Sequence, residues 1–159
     1  MASQLGFDPS LHKSLAQRAG GADWAWAAGV AEKESGWNPL ACGDNGLSVG
    51  LWQMHPTFIA WLWPEFAGDG AMLRIAHCDS FFQADSFERF WVRKFSKLQP
   101  ADKLRIYHYG EAKAASLATA ENPDPDGYVA AVRAIVAQIS PEAVAPAASA
   151  APAAAAKKS

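Results

Sequence analysis

Helical spacing of the large apolar side chains is the feature that most limits the fold of this chain. Between residues 84 and 98, four of them follow one another at intervals of four, four and three: Phe87, Trp91, Phe95 and Leu98. A second series of this kind runs from Tyr128 to Ile139. Apolar residues at such intervals share one face of an α-helix, whereas half-buried strands need strict alternation. The pattern therefore predicts a mainly helical domain.

Capping residues and glycines mark where the earlier helices begin and end. Asp8, followed by a proline, predicts the N-cap of one helix. Asp23 is the N-cap candidate of a second helix, which runs to about Ser35 and stops at the following glycine. Turn residues are frequent over residues 39–50. The expected fold class is mainly α, with at most a small hairpin near residues 40–50.

The chain has 159 residues, of which half are apolar and seven are tryptophan, so it is long enough for one domain with a substantial core. Residues 143–159 read AVAPAASAAPAAAAKKS and offer too little apolar surface to offset the entropy of ordering them. We therefore predict a globular domain over residues 1–140 and a flexible Ala/Pro-rich tail over residues 141–159.

Charge and hydropathy exclude two classes of partner. A net charge of −2 and a pI near 6.0 argue against binding to nucleic acid. No apolar run approaches the roughly 20 residues of a membrane helix, so membrane insertion is not expected. The first residues, MASQLGFDPS, lack the basic and apolar regions of a Sec signal peptide. We expect synthesis in a cytoplasm without Sec export.

Two cysteines are too few for a disulfide framework. Because a cytoplasm is reducing, Cys42 and Cys78 are expected to be thiols, although one bridge between them stays open. The adjacent pair His77 and Cys78 lacks the ligand spacing of a zinc site. We predict neither a metal nor a cofactor.

The segment from Gly46 to Gly50 fits the pattern G-x-S-x-G, which can mark the nucleophile of a serine hydrolase. In that class an apolar strand leads into the serine, on a parallel sheet built from repeated βα units. Here a polar turn of Gly43, Asp44 and Asn45 precedes the pattern. Ser48 is therefore not expected to be a nucleophile.

Glu34 is the more informative residue, because it lies on the apolar face of the second helix. With Ala27 at zero and roughly 100° per residue, Ala31 lies near 40°, Val30 near 300° and Glu34 near 340°. Burial and the negative end of the helix dipole both disfavour a charged carboxylate there. A carboxylic acid that stays protonated near neutral pH is what glycosidic-bond cleavage needs, and the acid of lysozyme is an example.

Three short motifs follow the same order as those of a known family. They are Glu34-Ser35, then Gly50-Leu51-Trp52-Gln53, then Tyr107-His108-Tyr109-Gly110. This series resembles the soluble-type lytic transglycosylases of the lysozyme-like superfamily, which show Glu-Ser, Gly-Leu-Met-Gln and Tyr-Asn-Ala-Gly. The likeness covers roughly residues 11–139. Trp52 replaces the family's methionine and His108 replaces its asparagine, which leaves the contacts of the loop open.

The resemblance implies a role for each matching residue. Glu34 is the general acid and later the general base. Gln53 contacts an N-acetylated sugar or, alternatively, satisfies the loop backbone, and Tyr107 orients Glu34 by a hydrogen bond or packs in the core. Trp52 and Trp37 stack on sugar rings, with a core position as the alternative for Trp37. The implied substrate-binding residues are Ser35, Asp44, Ser48, Trp52, Gln53 and Tyr107, of which Ser35 either supports the loop or contacts the glycan.

The expected substrate is peptidoglycan, cut at the β-1,4 bond between N-acetylmuramic acid and N-acetylglucosamine to give 1,6-anhydromuramic ends. A hydrolytic lysozyme with Asp44 as second carboxylate is the alternative, and chitin hydrolysis by the same acid is another. A catalytically silent structural or wall-binding virion protein is the alternative from a different class. Without Sec export, use by a bacteriophage for wall penetration or lysis is expected, which leaves other virion proteins open as partners.

Overall fold

A computed structural model describes residues 5–66, 68–70 and 78–145. Its α-helices are α1 (Pro9–Gly20), α2 (Trp24–Ser35), α3 (Pro56–Leu62), α4 (Ser80–Glu88), α5 (Pro100–Tyr109), α6 (Glu111–Leu117) and α7 (Tyr128–Ile139). Short 3-10 turns lie at Gly21–Asp23, Asp44–Gly46, Pro64–Phe66 and Pro141–Val144. Strands β1 (Cys42–Gly43) and β2 (Ser48–Val49) form an antiparallel hairpin, in which Cys42 pairs with Val49. The predicted mainly α fold with one small hairpin is confirmed.

Helices α1 and α2 begin and end close to the predicted residues. The Asp8 side chain accepts a hydrogen bond of 2.8 Å from the Ser10 amide and caps α1. Helix α2 stops at Gly36, whose φ of 59° is the left-handed conformation that glycine adopts most easily. Asp23 precedes α2 as predicted but is not its side-chain cap. Its carboxylate instead accepts a bond of 3.0 Å from the Trp91 indole nitrogen.

Helix α2 lies at the centre of the domain and packs against both α1 and α7. Its residues 25–31 are all buried. Gly29 marks the crossing with α7, since a Cβ atom there would lie 2.5 Å from Val136 Cγ2 and 3.5 Å from Val132 Cγ1. The absence of a side chain at Gly29 thus lets the two helices approach closely. This crossing brings the C-terminal end of α2 beside the N-terminal residue of α7.

The helix predicted over residues 84–98 differs from the one observed. After α4 the chain continues as a π-helix over Arg89–Lys94, and the Phe95 amide donates to the Phe90 carbonyl five residues earlier. Leu98, predicted on the apolar face, is 37% exposed. Phe90 and Trp91 are both fully buried, although they are neighbours in sequence. The buried face therefore follows the wider π turn and not the regular spacing.

The folded region extends past the predicted boundary at residue 140. Pro141–Val144 form a 3-10 turn, and Ala143 and Val144 pack against the core. Residues 146–159 of the predicted tail lie outside the described part of the chain. Across residues 5–66, 68–70 and 78–145, no helix has the length and apolar character required to cross a bilayer.

Candidate active site

Glu34 stands in the last turn of α2, with its carboxyl group partly buried at the crossing with α7. Its Oε1 atom accepts a hydrogen bond of 2.5 Å from the Tyr128 hydroxyl. Tyr128 is the first residue of α7 and is 5% exposed. A buried phenol therefore fixes the position of the carboxyl group from across the helix crossing.

Burial raises the pKa of Glu34 above its ordinary value. The Tyr128 hydrogen bond and the charges of His108 and Lys33 act in the opposite direction, and the charge of Asp44 adds to the rise. Desolvation is the largest of these effects, so the net pKa is raised. The carboxyl group thus keeps its proton to a higher pH than an exposed glutamate, as a general acid requires.

Two depressions meet at Glu34. The first has a volume of about 270 Å³ and is lined by Glu34, Asp44, Gln53, Met54, His55, Phe58, Tyr107 and His108. The second has a volume of about 360 Å³ and is lined by Lys33, Glu34, His108, Asp126, Gly127, Tyr128 and Ala131. Glu34 and His108 belong to both. The Glu34 carboxyl group therefore lies at the boundary between the two depressions.

The loop beside Glu34 is fixed by side chains that sequence reasoning had assigned to substrate. The Ser35 hydroxyl donates to the Leu51 carbonyl at 2.8 Å, so it supports the loop, which was one of its two expected roles. The Gln53 amide nitrogen donates to the Ala41 carbonyl at 3.0 Å and the Gly50 carbonyl at 2.9 Å. Gln53 thus satisfies the loop backbone while it also lines the first depression.

The expectation that Trp52 stacks on a sugar ring was wrong. Trp52 is fully buried, and its indole nitrogen donates to the Ala27 carbonyl of α2 at 3.0 Å. Trp37 is also buried, with 5% of its surface exposed, and packs at 6.0 Å from Trp52. Both rings belong to the core, and Trp52 ties the loop to α2.

The expected partner of Glu34 also requires a correction. The Tyr107 hydroxyl donates to the Trp52 carbonyl, while Tyr128 holds Glu34. Burial, with a smaller contribution from the Glu34 charge, raises the pKa of Tyr107 well above its ordinary value. Tyr107 still lines the first depression, so its ring forms part of the wall around the carboxyl group.

Asp44 and Ser48 form a pair within the hairpin. Ser48 is 5% exposed and its hydroxyl donates to Asp44 Oδ2 at 2.5 Å. Neither depression includes Ser48 in its lining, whereas Asp44 lines the first. Asp44 faces the first depression together with Glu34, and its backbone takes a positive φ of 50°.

The structure adds a cluster on the other side of Glu34 that sequence reasoning missed. His108 Nε2 lies 2.7 Å from Asp126 Oδ2, and the His108 ring stacks on the Tyr128 ring at 4.0 Å with an interplanar angle of 2°. The hydroxyl of Tyr109 donates to the same carboxylate. These two hydrogen bonds lower the pKa of Asp126 to about 2, and the bond from Tyr109 has the larger effect. His55 and Phe58 were also missed as lining residues.

The side chains that could coordinate a metal were predicted not to form a site. No group of three His, Cys, Asp or Glu side chains among the described residues could hold a metal ion. Cys42 is an exposed free thiol at the start of β1. His77, considered with Cys78 as a ligand pair, lies outside the described residues.

The fold and the site together define a class of protein. A helical domain that presents a partly buried glutamate at the end of its central helix, beside a small hairpin and two depressions, has the architecture of the lysozyme-like superfamily.

Comparison with known protein families finds a match over the N-terminal part of the chain. Residues 13–74, which include Glu34 and Gln53 but neither Tyr107 nor Tyr128, match the family model described as "Transglycosylase SLT domain". This match supports a lytic transglycosylase of the lysozyme-like superfamily that acts on peptidoglycan. No curated protein and no solved structure matches the chain.

Proposed function

We propose that Glu34 is the single general acid and base of this enzyme, and that it cuts the β-1,4 bond between N-acetylmuramic acid and N-acetylglucosamine. The observation that carries the proposal is the position of its carboxyl group, held by Tyr128 at the junction of two depressions. The raised pKa of Glu34 supports the same role, because the acid must be protonated before the bond breaks.

In the first step Glu34 donates its proton to the glycosidic oxygen, and the bond from that oxygen to C1 of the muramic acid breaks. The N-acetyl oxygen of the same sugar stabilises the positive charge that develops at C1. Glu34, now a carboxylate, accepts the proton of the sugar's 6-hydroxyl group, and the oxygen of that hydroxyl group forms a bond to C1. The product is a 1,6-anhydromuramic end, no water is consumed, and Glu34 regains its proton.

Tyr128 supports both steps. Its hydroxyl donates to Glu34 Oε1 and stabilises the carboxylate that the first step creates. Burial, with the Glu34 charge as a further cause, raises the pKa of Tyr128 far above its ordinary value, so the phenol remains a donor throughout. The stacked ring of His108, paired with Asp126, holds Tyr128 from the groove side.

The test is the Glu34→Gln variant, assayed by mass analysis of muropeptides released from purified peptidoglycan. The amide keeps the size of the side chain and removes the transferable proton, so we expect a loss of about 10²–10⁴-fold or more. Glu121→Gln, in an exposed loop away from the groove, is the matched control and should retain activity. Activity of Glu34→Gln within tenfold of wild type would contradict the assignment.

A hydrolytic lysozyme is the second candidate, and the placement of Asp44 favours it. Asp44 faces the same depression as Glu34, which is where a second carboxylate would activate water or stabilise the sugar cation. Its bond from Ser48 engages one carboxylate oxygen, Oδ2. The chemical nature of the product ends distinguishes the two reactions.

We further propose that a bacteriophage uses the enzyme to open the wall, either carried in the virion or released at lysis. An enzyme that acts on peptidoglycan supplies the activity that both tasks need. Mass spectrometry of purified virions and of the lysate from an infected culture would test this. Detection only in uninfected cells would contradict it.

A further inference from the structure

A cluster of cations lies on the π-helix and the residues that follow it. Arg89, Arg93, Lys94 and Lys97 carry four positive charges within nine residues, although the whole chain has a net charge of −2. Lys94 and Lys97 are exposed, and the side chain of Arg93 is 69% exposed. In a π-helix the hydrogen bonds join residues five apart, so Arg89 and Lys94 lie one turn apart on the same side.

Arg89, Arg93 and Lys94 border a depression that is distinct from those at Glu34. Its volume is about 510 Å³, and its lining is Trp61, Leu62, Pro64, Arg89, Arg93 and Lys94. Arg89 fixes the floor, because it donates to the Leu62 carbonyl at 3.1 Å and pairs with Glu65 at 3.3 Å. Arg93 pairs with Glu88 at 2.7 Å through its Nε atom. Lys94 lies 4.3 Å above the Trp61 ring.

A row of shared side chains connects this basic depression with Glu34. The first depression at Glu34, which Asp44 and Gln53 also line, shares Phe58 and Tyr107 with a neighbouring depression of about 260 Å³. That neighbour in turn shares Trp61 with the basic depression. The rings of Phe58 and Trp61 are 5.5 Å apart, so they form one aromatic ridge. Glu111 is the acidic residue that lines the intermediate part.

We propose that Arg93 and Lys94 bind the carboxylates of the peptide stems that peptidoglycan carries on its muramic acid residues. The inference rests on the proposed function, since it requires a glycan strand over Glu34. A stem attached to a sugar in the groove extends away from the glycan axis, and the ridge of Phe58 and Trp61 leads from Glu34 to the two cations. The lysine ammonium and the free guanidinium nitrogens of Arg93 both suit carboxylate acceptors.

This assignment makes the enzyme selective for glycan that still bears its peptides. Once an amidase removes the stems, the carboxylates that remain are those of the lactyl groups, which lie on the sugar itself and do not extend along the ridge to the two cations. Arg89 is already engaged by Glu65 and the Leu62 carbonyl and serves to shape the depression. Binding through exposed charges also weakens as salt is added.

The experiment compares two substrates, intact sacculi and the same sacculi from which an amidase has removed the peptides. The variant is Arg93→Ala with Lys94→Ala, and the matched control is Lys13→Ala, since Lys13 also lies over a tryptophan ring, at 4.9 Å from Trp24 on α1. We expect the double variant to raise KM for intact sacculi about threefold to tenfold, with kcat little changed, because each exposed charge pair contributes modestly. KM for the stripped glycan should not change.

Sedimentation of the inactive Glu34→Gln protein with each substrate measures binding without catalysis. Stronger binding to intact than to stripped sacculi, abolished by the double substitution, is the result expected. If the double substitution weakens binding to intact and stripped sacculi equally, or weakens binding to neither, the proposal is overturned and the role of Glu34 is not affected. Hydrofluoric acid removes phosphate polymers from the sacculi and leaves the peptides in place. Loss of binding after this treatment would overturn the proposal and would show that the two cations bind a phosphate polymer. Failure of wild-type protein to cleave either substrate would instead count against the proposed function.

Discussion

Replacing Tyr128 by phenylalanine tests how the fold controls its acid. The substitution removes the donor to Glu34 Oε1 but keeps the ring that stacks on His108 at 4.0 Å. A hydrogen bond to a charged group contributes about 1.5–3 kcal/mol. Since about 1.4 kcal/mol corresponds to a factor of ten, loss of this bond in the transition state slows cleavage roughly tenfold to a hundredfold.

The pH profile of Tyr128→Phe shows in which direction the hydrogen bond shifts the pKa of Glu34. The hydrogen bond lowers the pKa of Glu34 against the larger effect of burial, so its removal raises that pKa further. Because the acid must be protonated, the alkaline limb of kcat/KM should move to higher pH while the maximum rate falls. Tyr109→Phe is the control, since that hydroxyl donates to Asp126 and not to Glu34. An unchanged limb together with a rate within twofold of wild type would refute the reasoning.

Three further outcomes follow from the structure. Burial raises the pKa of Glu34 in the folded protein. The contribution of the protonated side chain to stability is therefore fully present below the ordinary pKa and is lost as pH rises through the pKa of the folded protein. The melting temperature of Glu34→Gln should equal that of the wild type in acid and exceed it at pH 7. A Cβ at Gly29 would lie 2.5 Å from Val136 Cγ2, so Gly29→Ala should lower the free energy of unfolding by about 1–3 kcal/mol in urea titrations, and an unchanged midpoint would count against the tight crossing. Ser48→Ala should lower activity modestly or not at all, and serine-directed acylating reagents should leave the wild-type enzyme active. Stoichiometric covalent labelling of Ser48 with loss of activity would restore the nucleophile hypothesis.

The features that local physics determines were predictable from the sequence. The Asp8 cap, the Gly36 terminus and the face of α2 that carries Glu34 all depend on residues within one or two turns. Helical periodicity placed Glu34 on the core-facing side before any contact was known. The hairpin followed from the density of turn residues near Asp44.

Contacts between distant segments were not predictable in the same way. Glu34 and Tyr128 are 94 residues apart, and nothing in either local pattern shows that Tyr128 reaches the carboxyl group while Tyr107 reaches the Trp52 carbonyl. The burial of Trp52 depends on the Ala27 carbonyl, which lies 25 residues away in sequence. The π-helix was not predictable, because the spacing of Phe87, Trp91 and Phe95 does not show whether the backbone hydrogen bonds join residues four or five apart.

The most direct test of the account is the chemical identity of the muramic ends that wild-type and Asp44→Asn proteins release from peptidoglycan. If Glu34 acts alone, both digests contain 1,6-anhydromuramic ends, lighter by one water than hydrolytic ends, and Asp44→Asn retains most of the activity. Asp44 faces the same depression, so it is the carboxylate best placed to contradict this account. Reducing muramic ends from the wild-type protein, together with an inactive Asp44→Asn variant, would show a two-carboxylate hydrolase instead.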